Sequence, residues 1–145
     1  MSQENLINLN QFSMVGHTIT RFDFTNTYAR FSMSDPDLKK EFNVDGGLTG
    51  VRGDTAEWQG DVALDIHLKL TNNDAVLKAD MKIIGHAAAS HMNKDDFIRA
   101  ALSKGCDETY AAAKAAIIAF AAMAVPGERL TLPTVSFDDR NFKKR

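Results

Sequence analysis

A chain of 145 residues, 44% hydrophobic and 25% charged, fits one domain with an apolar core and excludes wholesale disorder. Its net charge of −2 supplies no basic field for a polyanion, so nucleic acid is set aside as the main partner. The single cysteine, Cys106, suits a reducing compartment. The segment Met1–Gln11 lacks a basic and an apolar leader region, and the apolar run Ala115–Val125 is too short to cross a bilayer. These features lead us to expect one cytoplasmic domain over residues 1–145, not embedded in a membrane, with 1–16 as a flexible lead-in and 138–145 as a short tail.

Thr18 to Thr25 reads as a strand, with Thr18, Thr20, Phe22 and Phe24 on one face and Ile19, Arg21 and Asp23 on the other. A polar connection follows that carries Tyr28, Phe31 and Met33 and is broken by Asp35-Pro36. Large apolar side chains in a long loop point to a binding role. Lys40 to Val51 is a second strand candidate, and Gly46-Gly47 predicts a bulge or break in it. Gly50 to Asp54 reads as a turn. Val62, Leu64, Ile66, Leu68 and Leu70 then alternate with polar or small residues, the signature of a half-buried strand. Thr71-Asn72-Asn73-Asp74 closes a hairpin, and Ala75 to Ile84 returns with alternating Leu77, Ala79, Met81 and Ile83.

Beyond His86 the period becomes helical. Asn93 is placed to cap a helix with Asp95 and Asp96 in its first turn, and Gly105 to stop it. A longer helix is expected from Glu108 to Ala124, alanine-rich on nearly every side. Such a helix has no polar face, so the side away from the sheet needs cover. A second subunit is the simplest cover, which makes Ala116, Ala119, Phe120 and Met123 the expected oligomer interface. An extended apolar segment, Leu130 to Phe137, and a basic tail complete the chain. The resulting fold class is α+β: a four-stranded antiparallel sheet, expected to be a Greek key, with a long alanine-rich helix packed on one face.

Catalytic and metal signals are weak. His86, His91 and Cys106 do not have the spacing of a zinc site, and no other metal or cofactor is indicated. The glycines at 46, 47, 50 and 53 match neither a P-loop nor a dinucleotide fingerprint. Cys106 reads as a packed thiol, and Asp61, Asp65, His67 and Lys69 as one solvated strand face. Nothing here argues for an enzyme.

The segment Leu130-Thr131-Leu132-Pro133-Thr134-Val135-Ser136-Phe137-Asp138 approximates a Leu-x-Leu-x-Pro-Val-x-Phe-Asp pattern with the proline one place early. Tyr110-Ala111 opens the long helix, Phe22-Asp23 lies in the first strand, and Phe31 and Pro36 flank the connection. With these features, the order of four strands, one long helix and an extended Leu-x-Leu-Pro segment over about residues 17–142 resembles the SecB protein-export chaperone family. Met33 stands nearest the tryptophan of the family's crossing loop, and Asp23 matches one acidic position through which the family docks the SecA motor. The resemblance implies a homotetramer built as a dimer of dimers, or a dimer, that holds unfolded or precursor polypeptides without ATP. Tyr28, Phe31, Met33, Phe42, Val44, Leu130 and Leu132 would line its groove, although Phe42 and Val44 fit a monomer core equally well. Some SecB-like proteins instead protect one antitoxin, and the shortened tail suits that alternative. A non-chaperone adaptor is the third reading.

Overall fold

The computed structural model describes residues 11–26, 35–72, 75–124, 130–135, 137 and 143–144. Strands β1 (Phe12–Asn26), β2 (Lys39–Asp54), β3 (Glu57–Asn72) and β4 (Ala75–Ser90) are followed by helix α1 (Lys94–Ala100), a π-turn (Ala101–Gly105) and helix α2 (Cys106–Ala124). A two-residue strand, β5 (Lys143–Lys144), completes a sheet of order β1-β4-β3-β2-β5. The four long strands are antiparallel, and β2, β3 and β4 follow one another as hairpins. The first strand lies beside β4, so the chain between Asn26 and Lys39 links opposite edges of the four: a Greek key.

Alternation in β3 and β4 determines which face is covered. Val62, Leu64, Ile66, Leu68 and Leu70 are all buried, as are Leu77, Ala79, Met81 and Ile83 from β4. Phe97, Ala113, Ile117 and Ala121 pack onto this face from the helices. The opposite face carries Asp61, Asp65, His67, Asp80, Lys82 and His86, a polar surface typical of an antiparallel sheet covered on one side.

Several sequence expectations are corrected. Residues 12–16 belong to β1 rather than to a lead-in, because Phe12 is buried against Phe97 with ring centroids 6.1 Å apart. The register of β1 shifts between Ile19 and Arg21, which sets Ile19 opposite Ile83. Ile19 therefore shares the helix-side face with Phe22 and Phe24 rather than lying opposite them.

Gly46-Gly47 does not break β2: Gly46 and Gly47 pair in unbroken register with Leu64 and Ala63. The irregularity falls between Thr49 and Arg52, where Gly50 (φ 68°) takes a backbone angle that suits glycine; Gly53 (φ 116°), beyond it and paired with Trp58, does so too. The residues expected to form a turn, 50–54, thus stay in the strand. The hairpin closes at Thr55-Ala56, with the Ala56 N–H donating to the Asp54 carboxylate at 2.9 Å.

Asn93 caps α1 as expected, accepting from the Asp96 N–H at 2.8 Å. Gly105, in contrast, does not stop the helix. The chain passes through the π-turn with helical backbone angles at both ends and continues into α2. Gly105 lies where the helix closely approaches the sheet, since an added Cβ would sit 3.1 Å from Val62 Cγ2. The buried Thr109 hydroxyl donates to the Gly105 carbonyl at 2.7 Å. The bulge therefore serves packing rather than termination.

Candidate functional site

Two aromatic groups flank α2 on the covered side of the sheet. In the first, Phe42 of β2 meets Tyr110 edge-on with centroids 6.2 Å apart, and Tyr110 meets Phe137 at 5.8 Å. The Tyr110 hydroxyl donates to the Pro133 carbonyl at 2.6 Å, pinning the extended segment to the helix. A backbone hydrogen bond between Phe137 and the Asp107 side chain ties the far end of that segment down. Burial pushes the Asp107 carboxyl up, the bond from Phe137 pulls it down, and neighbouring Glu108 adds a further upward push. Burial also raises Tyr110, which keeps the hydroxyl protonated as a donor.

The residues expected at a groove divide into three sets. Phe42 and Val44 are half-buried at the β2 edge. Leu130 and Leu132 are buried by the chain itself, at 7% and 6% exposure. Tyr28, Phe31 and Met33 lie outside the described residues. The fold thus brings Phe42, Val44, Leu130 and Leu132 to the same apolar side as Tyr110.

The second aromatic group was not singled out from the sequence as a cluster. Phe120 of α2 meets Phe22 at 5.3 Å and Phe24 at 4.8 Å, both edge-on. Phe120 remains 40% exposed and Met123 79%, with Ile19 at 44% on the same side of β1. Ala116 is half-buried and Ala119 exposed. The signal available in the sequence was the pairing of an aromatic doublet in β1 with the one aromatic residue in the later part of the helix.

On the polar face, Arg21, Asp23, Asn43, Asp45, Asp65, His67, Asp80 and Lys82 line a shallow concavity of about 410 Å³. Arg21 pairs with Asp23 at 2.6 Å, His67 with Asp80, and His86 with Asp61 at 2.8 Å. Arg21–Asp23 and His86–Asp61 are exposed and His67–Asp80 is partly buried, and pairs this open to solvent stabilise a fold by no more than about 1 kcal/mol each. Among the described residues no group of three or more His, Cys, Asp or Glu could hold a metal ion.

Cys106 is fully covered, and its burial, reinforced by the adjacent Asp107 charge, pushes the thiol up to about 12. A thiol that stays protonated at neutral pH is a poor nucleophile. Iodoacetamide at pH 8 should therefore leave Cys106 unmodified in the folded chain and label it on denaturation; rapid labelling of the native chain would contradict the burial. The proton leaves the unfolded chain near 9 and the folded chain only near 12. Across that window the folded state binds more protons, so this group makes stability fall as pH rises.

No protein-family model and no curated protein matches the chain by sequence. By structure it is similar to the Mycobacterium tuberculosis Rv1957 SecB-like chaperone, solved in complex with a ChAD peptide from the Rv1956 HigA1 antitoxin. The superposition covers 87% of this chain and 93% of that one, with a TM-score of 0.59 and 13% identity. The fold is SecB-like. At this identity the likeness establishes architecture: an open four-stranded antiparallel sheet with one long C-terminal helix across it. Among the described residues, no helix of the SecB-like fold is long and apolar enough to cross a membrane.

Proposed function

We propose that the chain is a non-enzymatic, ATP-independent holdase that keeps unfolded or nascent polypeptides from aggregating. The observation that carries this reading is the half-buried Phe42–Val44 edge, set beside Tyr110 and the Leu130–Leu132 segment in a SecB-like fold. Client side chains would complete the apolar contacts there, each large side chain gaining about 1.5–3 kcal/mol on burial. Tyr28, Phe31 and Met33 would extend the groove from the connection between β1 and β2. Several weak contacts on one oligomer add through effective concentration. Replacing Tyr28 and Phe31 together by serine should weaken binding of a denatured client about tenfold, as read by fluorescence titration, with the melting temperature held. Full client affinity in this double variant, or its unfolding, would remove these residues from the groove.

The exposed Phe120 and Met123, with Ala116 and Ala119 beside them, support an assembly in which a second copy covers α2. Small residues would let two helices approach closely. Light scattering should give a dimer or tetramer at micromolar concentration, and Ala119→Glu should lower the mass to a smaller species. A monomeric parent chain would end this part of the reading.

A second reading has a specific observation in its favour. The similar chaperone was solved with a peptide of one antitoxin, so a single dedicated partner of that kind fits this chain as well. Export through SecA would instead engage the polar face, where Asp23 pairs with Arg21. Co-purification from the host separates these versions: many precursors indicate general holding, one stoichiometric protein the dedicated role.

A further inference from the structure

The methionines among the described residues differ in cover. Met81 and Met92 are buried, at 1% and 6% exposure. Met14 is half-buried between sheet and helix: an added Cβ would stand 2.6 Å from its Cε at Gly85 and 3.4 Å from its Sδ at Gly105. Met123, near the end of α2, is 79% exposed. It extends an apolar patch rather than standing alone. Phe120, one helical turn before it, is 40% exposed, and Ile19 on the helix side of β1 is 44% exposed. Ala119, four residues before Met123 on the same helix face, is too small to cover it.

A thioether is a readily oxidised apolar group, and access governs which one reacts. The chain's one thiol does not compete, because Cys106 is buried. With a hydroperoxide, a sulfur lone pair attacks the hydroxyl oxygen; the S–O bond forms as the O–O bond breaks. The proton of that hydroxyl passes to the departing oxygen, which leaves as water or an alcohol. Sulfur loses two electrons and the peroxide gains them. The resulting sulfoxide is polar, and burying it without a hydrogen-bond partner is unfavourable. A two-fold contact between copies would carry that change twice. We propose that Met123 is a hydroperoxide-sensitive modification site whose sulfoxide disfavours the assembly built on α2. Assembly shields Met123 in turn, so oxidation draws on the dissociated chain and each process opposes the other. This rests on the reading in which a second copy covers α2, and adds the chemistry that regulates that contact.

The test treats the full chain and its Met123→Leu variant with dilute hydrogen peroxide. Leucine keeps the apolar bulk and the helix propensity without an oxidisable sulfur. Peptide mass mapping should place an oxygen atom on Met123 while Met81 and Met92 stay unmodified. Light scattering over a dilution series should then show the half-dissociation concentration of the parent rising about tenfold. The treated variant, which retains Met1 and Met33, should keep its untreated midpoint. Methionine sulfoxide reductase with a thiol reductant should restore the parent. Oxygen on Met81 or Met92 ahead of Met123, an unchanged midpoint once Met123 is oxidised, or equal dissociation of the variant would overturn the proposal. The untreated parent separates the failures: if it is monomeric, the oligomer reading falls and the switch with it, and if it assembles but ignores the oxidation, the switch falls alone.

Discussion

Phe97→Ala should be the most damaging single truncation in the described core, lowering stability by about 3–5 kcal/mol. Phe97 is completely buried, stacked on Trp58 at 6.4 Å and tilted against Phe12 at 6.1 Å. Its ring also lies over Gly60, where an added Cβ would come within 3.3 Å of Phe97 Cε2. Removing the ring leaves a void between rigid strands and the first turns of α1, which cannot collapse into it. The loss is a large share of the 5–15 kcal/mol typical of a domain. Trp58 is the chain's one tryptophan, and its Nε1 donates to the Met92 carbonyl at 2.8 Å. Its fluorescence in urea therefore reports the effect at the site. A loss of unfolding free energy below about 1 kcal/mol would show that Phe97 does not anchor helix to sheet.

Gly46→Ala should be nearly as damaging, although it adds one carbon. A Cβ at this position would stand 2.1 Å from the Ala63 carbonyl oxygen and 2.8 Å from Leu64 Cδ2. The first obstacle is backbone, so no rotamer change relieves it, and β2 would have to move away from β3. Overpacking of this kind costs about 1–3 kcal/mol or more. Gly16→Ala is the control, since an added Cβ there meets nothing within 4 Å. Thermal melts of the two variants should differ clearly, with Gly16→Ala close to the parent. Equal melting temperatures would mean that β2 and β3 are less closely apposed than described.

The legible and illegible parts of the fold differ for physical reasons. Strands β3 and β4 have one buried and one polar face, so alternation in Val62 to Leu70 reports the side-chain period directly. Asn93 was legible because a cap is a local bond between a side chain and an N–H three residues on. Gly46 and Gly105 were misread because their reason lies in another element: one admits the β3 backbone, the other lets the helix approach Val62. Local sequence cannot distinguish a glycine needed for a turn from one needed for close packing. Ile19 was assigned to the wrong face because a one-residue register shift inverts the alternation, and nothing in Thr18-Ile19-Thr20-Arg21 announces it.

The candidate site was legible in part for the same reasons. Phe42 and Val44 were assigned to a groove through the resemblance to the SecB family, with a place in the core fitting them equally well, and the Leu130–Phe137 segment through its motif. Contact between Tyr110 and both of them is long-range and emerged only from the fold. The Phe22–Phe24–Phe120 group joins residues about a hundred positions apart, which is beyond any local pattern.

Suppression of aggregation tests the holding function most directly. A chemically denatured client is diluted into buffer without nucleotide, with and without the chain, and light scattering is followed. The account predicts that near-stoichiometric amounts of the oligomer suppress scattering, that the Tyr28→Ser/Phe31→Ser variant does so poorly, and that added ATP changes nothing. Unchanged scattering with every unfolded client tried, from a folded and oligomeric preparation, would contradict it.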